Sequence, residues 1–310
     1  MAAAPDLPAP HRRCFATVFY QDLKNTLRRR PFHEDIAMLR LWASRMLAAS
    51  SLPIFIMHAA IDPVEALGAL ANVTKDQTCF GGRLYLQQVP LIRGPTRGDW
   101  THYRHVYTKL HAWSLPCDQV TFLDYDVIPL REGVDRIFDL CETDDLCGTQ
   151  DTTTPKPPNL RVINAGVMVL RPNRTRLERW LELIADENRR GVSRALSEQG
   201  FLRTHHPNWR DLPFGWHLPQ YFGWAFWPRA NVSAAVAWLR HNDSYFAHLK
   251  LAEMRPQTAE ALNVRWQWIV LYCQAHNSTL CRKSQARYRL AETEVMATAN
   301  CSAGRRLLVD

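Results

Sequence analysis

The chain has 310 residues, enough for one large α/β enzyme domain with an additional C-terminal segment. Hydrophobic residues make up 46% of it and charged residues 22%, a composition that excludes a globally disordered protein. The net charge of +8 favours small anionic ligands, but the basic residues lie in short scattered runs without interleaved aromatic residues, which argues against a nucleic-acid-binding protein.

Strands and helices alternate in the first third of the chain. Buried strands are predicted at residues 14–19, 52–57 and 83–89, and helices at residues 35–49 and 63–71. This alternation predicts parallel βαβ units in an open, doubly wound α/β sheet, which binds nucleotides at the carboxyl ends of its strands. The sequence has no glycine-rich phosphate-binding loop, so we expect a bound diphosphate to be held by a metal ion and cationic side chains.

An acidic triplet follows the next predicted strand. A helix is predicted over residues 101–115 and a buried strand over residues 120–123, which ends at Asp124, Tyr125 and Asp126. Because side chains alternate along an extended chain, Asp124 and Asp126 are expected to project to one side and Tyr125 to the other. Two such carboxylates form an oxygen site for a divalent cation, and a solvated turn is the alternative interpretation.

The second half of the chain continues the α/β pattern. Asn164 interrupts an apolar strand, where an amide is expected to be hydrogen-bonded or functional. Ser197 is the expected N-cap before Glu198 in a purely structural interpretation. The predicted elements are a short helix at 134–140, a strand at 146–150, a loop at 152–159, a strand at 162–170, an amphipathic helix at 172–189, a helical segment that opens at residue 198, and C-terminal helices at 257–276 and 286–297.

The eight cysteines show neither a Cys-x-x-Cys pair nor the spacing of zinc ligands. Several of them lie in or beside apolar runs, so buried free thiols are the expectation. Cys273 and Cys281 form the one pair considered for a disulfide, which would require an oxidising compartment.

Residues 1–13 lack an apolar core of signal-peptide length, and no run approaches the roughly 18 apolar residues of a transmembrane helix. These features predict a cytoplasmic protein without a transmembrane segment. The alternative is the lumen of the Golgi or ER, which is favoured by six Asn-x-Ser/Thr sequons. The sequon asparagines are Asn72, Asn173, Asn231, Asn242, Asn277 and Asn300.

Five motifs, taken in order, resemble those of the glycogenin-like retaining glycosyltransferases (glycosyltransferase family 8). They are Thr108 to Leu115 followed eight residues later by Asp124-Tyr125-Asp126, Asn164 to Pro172, Glu198 to Leu202, Trp209 to Pro219, and Ala247-His248 with Arg255-Pro256. The resemblance covers roughly residues 14–256. It implies a GT-A type fold, a Rossmann-like, mostly parallel sheet flanked by helices. We therefore expect a disordered segment at 1–13, a single glycosyltransferase domain at 14–256 and a helical extension at 257–310.

The resemblance also assigns roles to individual residues. It implies that Asp124, Asp126 and His248 bind Mn(II), with Mg(II) as the alternative, and that Glu198, Gln199 and Lys109 act in catalysis. Donor binding is assigned to Thr17, Val18, Tyr20, Lys109, Asp124, Tyr125, Asp126, Asn164, Ala165, His248 and Arg255. The chain departs from the family at Ala165, where the family often has Ser, at Glu198, where it has Asp, and in the closing motif, which lacks the usual Gly and Trp.

The function implied is metal-dependent, retaining transfer of a hexose from a UDP-sugar, UDP-glucose or UDP-galactose, to a hydroxyl of a separate glycan, protein or polyol acceptor. The aromatic stretch 214–227 is the expected acceptor wall. Two alternatives are a self-glycosylating glycogenin-type primer and a non-catalytic sugar-nucleotide binding protein. No tyrosine occurs at residues 222–236, where the self-glycosylating branch places its acceptor, and Tyr221 and Tyr245 are the remaining candidates. A homodimer is one expected assembly.

Overall fold

The structure, a computed structural model, describes residues 11–20, 39, 42–43, 45–59, 82–95, 104–129, 131–151, 161–191, 197–219 and 245–248. The predicted helices at 63–71, 257–276 and 286–297, the loop at 152–159 and Arg255 lie outside these residues. Among the residues it does describe, no helix combines the length and apolar character needed to cross a membrane.

The described residues contain ten strands, two α-helices, three 3₁₀ helices and the helical residues 39, 42–43 and 45–49. The strands are β1 (His11–Tyr20), β2 (Ile54–Ala59), β3 (Leu84–Gln88), β4 (Cys117–Leu123), β5 (Val127–Pro129), β6 (Leu146–Gln150), β7 (Ile163–Leu170), β8 (Arg210–Asp211), β9 (Leu218–Pro219) and β10 (Phe246–His248). The two α-helices are α1 (Arg174–Arg190) and α2 (Glu198–His205), and the 3₁₀ helices span Val106–Ser114, Val134–Cys141 and Phe214–Trp216.

Seven strands form one sheet in the order β3-β2-β1-β4-β7-β6-β8. The pairs β1–β2, β1–β4, β2–β3 and β6–β8 are parallel, whereas β7 runs antiparallel to both β4 and β6. The predicted α/β class with a mostly parallel sheet is confirmed. Strand β1 begins at His11 rather than at residue 14, because it continues along β4 as far as the pairing of His11 with Cys117.

Both faces of this sheet are covered, which explains the nearly continuous apolar runs of its central strands. On one face Phe15 and Phe19 pack in a core with Phe138 and residues 45–49, which are helical. On the other face Phe122 and Met168 pack in a core that contains the 3₁₀ helix Val106–Ser114 and helix α1. Consecutive residues of one strand therefore enter different cores.

The predicted helix at 101–115 is a 3₁₀ helix over Val106–Ser114, and the predicted helix at 134–140 is likewise 3₁₀. Helix α1 begins after Asn173, whose side chain accepts a hydrogen bond from the Arg176 N–H, and ends at Gly191, which adopts a left-handed conformation with φ of 62°. Ser197 occupies the N-cap position of α2 as predicted, but its side chain makes no capping hydrogen bond.

A second sheet of three strands lies beside the first, in the order β5-β10-β9. Strand β10 runs antiparallel to β5, pairing His248 with Val127, and parallel to β9, pairing His248 with Pro219. This sheet brings β9 and β10, which are distant from β5 in sequence, to the carboxyl end of β4, where β5 begins.

The expectation of free thiols is wrong for the cysteines that the structure describes. Cys14 on β1 forms a disulfide with Cys117 on the neighbouring strand β4, and Cys141 forms one with Cys147. For Cys14 and Cys117 the prediction failed because the partners are brought together by the pairing of β1 with β4 and not by their spacing in the sequence. Cys141 and Cys147 are only six residues apart, a local pair that the sequence analysis did not consider. The pair considered at Cys273 and Cys281 lies outside the described residues.

Candidate active site

The predicted acidic triplet lies in a tight turn. The Asp124 N–H donates to the Gly166 carbonyl at 2.9 Å, and the Val127 N–H donates to the Asp124 carbonyl at 2.8 Å. The backbone therefore turns at residues 125–126 and does not continue as the extended chain from which the same-side geometry was predicted. The two carboxylates nevertheless approach one histidine, while the Tyr125 ring packs edge-on against Phe19 with ring centroids 5.8 Å apart.

His248 completes this cluster through the pairing of β10 with β5. Its Nε2 lies 3.4 Å from Oδ1 of Asp126 and 4.0 Å from Oδ2 of Asp124. One ligand atom from each of the three residues lies within 4.8 Å of the others. Ligands on opposite sides of a small divalent ion, at about 2.1 Å each, are about 4.2 Å apart, so this donor set fits such an ion after a small adjustment.

Lys109 connects this cluster to helix α2. Its Nζ lies 2.9 Å from Oδ1 of Asp124 and 2.9 Å from Oε1 of Glu198, and it donates to the Ala165 carbonyl at 3.4 Å. The Lys109 side chain is buried, and its Nζ lies 5.5 Å from the centroid of the Phe122 ring. Because both carboxylates contact one ammonium, the end of β4 and the first turn of α2 are held together at a single point.

The Asp124 and Glu198 carboxylates stabilise the protonated form of Lys109. Burial alone would lower the pKa of the ammonium, but the nearby Asp124 and Glu198 carboxylates outweigh this effect and raise the pKa above its ordinary value. Lys109 is therefore protonated at physiological pH. The stability that this raised pKa contributes is present below the ordinary lysine pKa and is lost as the pH rises through the raised one.

The other residues assigned to donor binding surround the same strand ends. Thr17 is buried on β1, and its Oγ1 has no hydrogen-bond partner among the described residues. Val18 and Ala165 are buried and pack in the core beside Val106–Ser114. Tyr20 is half-buried, with its ring centroid 6.1 Å from that of His105. Asn164 is buried and accepts from the Gly166 N–H through Oδ1 at 3.0 Å, and Gln199 is half-buried.

Two residues of this region were given no role from the sequence, although His217 lies in the motif Trp209 to Pro219. Nε2 of His217 lies 2.9 Å from Nδ1 of His248, and Nδ1 of His217 lies 2.6 Å from Oγ1 of Thr149. All three side chains are buried, and the strand pairing of β6 with β7 is irregular between Gly148 and Thr149. A histidine directly before a strand is a weak sequence signal, since its contact with His248 depends on the pairing of β9 with β10.

Gly166 provides the space that the His248 ring occupies. A Cβ at this position would lie 2.6 Å from Nδ1 of His248 and 3.1 Å from Oδ1 of Asn164, both closer than van der Waals contact allows. We expect Gly166→Ala to displace the ring and to lower the free energy of unfolding by about 1–3 kcal/mol. Imidazole resonances in NMR spectra and chemical denaturation measure the two effects.

Gly133→Ala is the control for that substitution. Gly133 has φ of 78°, and the space that a Cβ would fill there is open, so alanine costs about 1–2 kcal/mol of backbone strain without touching the site. An unchanged His248 resonance in Gly166→Ala would contradict the packing described for the site.

Lys109→Met removes the only cation that contacts Asp124 and Glu198 among the described residues. Because it leaves the buried Glu198 carboxylate and the partly buried Asp124 carboxylate without this cation, we expect a loss of about 3–5 kcal/mol in the free energy of unfolding at neutral pH. The double variant Lys109→Met/Glu198→Gln should recover part of that loss, since one of the uncompensated charges is removed. Equal stabilities of wild type and Lys109→Met would contradict the ion pairs.

Comparison with solved structures shows the same fold in glycosyltransferases. The galactosyltransferase LgtC, solved in complex with donor and acceptor sugar analogs, matches with a TM-score of 0.52 and 15% identity over 84% of this chain and 95% of its own. The apo-form glycosyltransferase GlyE of Streptococcus pneumoniae matches with a TM-score of 0.51 and 13% identity over 87% of this chain and 64% of its own. The bifunctional glycosyltransferase WbbM in its apo form matches with a TM-score of 0.50 and 12% identity over 83% of this chain and 48% of its own.

No protein-family model matches the chain, and no curated protein matches it by sequence. The structural matches, each at or below 15% identity, show the fold alone. The predicted GT-A type fold is thereby confirmed, while membership of glycosyltransferase family 8 stays a prediction.

Proposed function

We propose that the protein is a metal-dependent, retaining glycosyltransferase that moves a hexose from a UDP-sugar, UDP-glucose or UDP-galactose, to a hydroxyl of a separate glycan, protein or polyol. The observation that carries the proposal is the convergence of Asp124, Asp126 and His248 beside the buried Lys109–Glu198 pair. This cluster lies at the carboxyl end of a strand, where open α/β sheets bind nucleotides.

The donor atoms of the cluster support a divalent ion. Asp124, Asp126 and His248 each bring one ligand atom within 4.8 Å of the others, and Lys109 contacts Asp124 beside this set. Two carboxylates at this spacing attract a divalent cation. Its ligands would be two carboxylates and one imidazole, a mixed oxygen and nitrogen set that suits Mn(II), with Mg(II) as the alternative. When bound, the ion would neutralise the donor diphosphate and ease the departure of the nucleotide.

Lys109 and Glu198 would act next to the transferred sugar. Lys109 holds a permanent positive charge close to the position of the leaving diphosphate, where it stabilises the negative charge that develops. Glu198, with Gln199 beside it, steadies the anomeric carbon as it gains positive charge. The acceptor oxygen forms its bond to this carbon on the face from which the nucleotide departs, and the acceptor proton passes to the departing phosphate oxygen. The configuration of the sugar is thereby retained.

His217 is proposed as a positioning residue for His248. As a metal ligand, Nε2 of His248 must be unprotonated, so its proton resides on Nδ1. The Nδ1–H of His248 then donates a hydrogen bond to Nε2 of His217, and the Nδ1–H of His217 donates one to Oγ1 of Thr149. The chain of hydrogen bonds fixes one tautomer and one ring orientation for His248.

The surroundings of Tyr245 favour a separate acceptor over self-glycosylation. The Tyr245 side chain is 6% exposed, its ring stacks on Trp216 at 3.8 Å between centroids, and its hydroxyl accepts from Arg136 at 3.3 Å. A buried hydroxyl held in this way cannot readily attack a donor sugar, so Tyr245 is a poor glycosyl acceptor. Trp216 itself belongs to the core, which leaves the rest of the aromatic stretch at 214–227 for the acceptor wall. Tyr221 lies outside the described residues.

A donor panel tests the proposal. We expect one of UDP-glucose, UDP-galactose, UDP-xylose and UDP-glucuronate to raise the Tm in the presence of Mn(II) and to be hydrolysed slowly, with both effects lost in EDTA. Asp126→Ala should abolish both effects, because it removes a ligand of the proposed ion. Asp118→Asn, an exposed acidic residue near the opposite end of β4, should retain them.

The outcomes separate the candidate functions. Binding of a donor without turnover would support the non-catalytic alternative, and a mass increase of the protein itself would support the self-glycosylating one. A protein that neither binds nor hydrolyses any donor contradicts the proposal.

The role of His217 has its own test. We expect His217→Leu to weaken Mn(II) binding by about 10–100-fold, because Nδ1 of His248 loses its hydrogen-bond partner. His217→Gln should lose less affinity, since its amide oxygen can accept the same proton. Titration of Mn(II) followed by electron paramagnetic resonance measures binding without relying on turnover. Equal affinities of wild type and His217→Leu would refute this role, whereas a wild type that binds no Mn(II) would refute the metal site itself.

A further inference from the structure

The two disulfides constrain the compartment in which this chain folds. All four cysteines that the structure describes are paired, Cys14 with Cys117 and Cys141 with Cys147. Three of these side chains are fully buried and Cys117 is 7% exposed, so the bonds are structural parts of the core. Structural disulfides form and persist in oxidising compartments and are rare in the cytosol. The pairing therefore favours the lumenal alternative over the cytoplasmic one.

One sequon lies in the part of the chain that the structure describes. Asn173 begins the sequence Asn-Arg-Thr and is the N-cap of α1, with an extended backbone at φ of −149° and ψ of 99°. Both Asn173 and Thr175 are exposed. The capping hydrogen bond from the Arg176 N–H uses Oδ1 of Asn173, whereas N-glycosylation modifies Nδ2. A glycan at Asn173 is thus compatible with the cap that starts α1.

The position of Asn173 also keeps a glycan away from the candidate active site. Asp124 and the His248 ring lie beside Gly166 on β7, and the strand continues from there to Leu170, a length of about 13 Å. Beyond that end, the Asn173 N–H donates to the Trp113 carbonyl at 2.9 Å. The exposed side chain therefore lies beyond the end of β7 that is remote from Asp124.

We propose that Asn173 is an N-glycosylation site and that the protein matures in the oxidising lumen of the secretory pathway. In the modification, Nδ2 of Asn173 loses a proton and forms a bond to the anomeric carbon of an oligosaccharide, and the lipid diphosphate that carried the sugar leaves. Each disulfide forms when two thiols give up two protons and two electrons to an oxidised thiol–disulfide oxidoreductase. Neither step depends on the transferase activity.

The competing interpretation is a cytoplasmic protein in which Asn173 is only a helix cap. In that case Cys141 and Cys147 would be free thiols and, together with Asp144, whose ligand atom lies within 4.8 Å of theirs, would be available to a metal ion. The two interpretations predict opposite states for the same residues. Cys141 and Cys147 are bonded in one and free thiols in the other, and Asn173 is glycosylated in one and bare in the other.

Peptide mapping of the native protein, purified from its source cells with free thiols blocked at lysis, distinguishes them. We expect peptides joined through Cys14–Cys117 and Cys141–Cys147, and a peptide containing Asn173 that is converted to Asp by peptide N-glycosidase in heavy-oxygen water. Blocked thiols at these four positions, or an Asn173 peptide without the heavy-oxygen label, would overturn the proposal.

A matched pair of variants assigns the modification to the sequon. In a tagged copy of the full chain expressed in the same cells, Thr175→Ala removes the acceptor motif while leaving the Asn173 cap intact, and Thr175→Ser preserves both. We expect complete loss of the glycan at Asn173 in the first variant and retention in the second. Retention of the label in Thr175→Ala would show that it does not come from N-glycosylation at this sequon.

Discussion

A buried ammonium between two carboxylates is the interaction on which the candidate site depends. Lys109 contacts Asp124 at the end of β4 and Glu198 at the start of α2, and these residues come from three separate elements. Burying a carboxylate without a partner is costly, so the pair fixes the distance between the acidic turn and the helix. Asp124 thereby stays close to Asp126 and His248, the residues that would bind a divalent ion.

The small sheet β5-β10-β9 positions the two histidines of the candidate site, His248 and His217. Strand β5 follows the acidic turn immediately, so whatever pairs with β5 is placed next to Asp126. The pairing with β10 delivers His248, and β9 delivers His217 behind it. Gly166 on β7 leaves room for the His248 ring on the other side. The three-stranded sheet thereby places His248 and His217 in a chain of buried hydrogen bonds that ends at Thr149 on the main sheet. Each hydrogen bond in this chain restricts the orientation of the neighbouring side chain.

The sequence predicts the parts of this site that depend on local pattern. Continuous apolar runs predict β4 and β7, and the ordered motifs predict roles for Asp124, Asp126 and His248. The turn at residues 125–126 was not predicted, because a hydrogen bond to the Asp124 carbonyl, invisible in the sequence, overrides the extended backbone. The contacts of His217 with Thr149 and His248 depend on strand register between distant segments. The Cys14–Cys117 disulfide was missed for the same reason, since the two cysteines become neighbours only when β1 pairs with β4.

The central claim is that Asp124, Asp126 and His248 hold a divalent ion that also contacts the diphosphate of a sugar nucleotide. Electron–nuclear double resonance of the wild-type protein with Mn(II) and the preferred UDP-sugar tests it directly. The account predicts a nitrogen coupling from the His248 imidazole together with phosphorus couplings from the donor, the nitrogen coupling being lost in His248→Ala. A spectrum of hydrated Mn(II), with neither coupling, would contradict it.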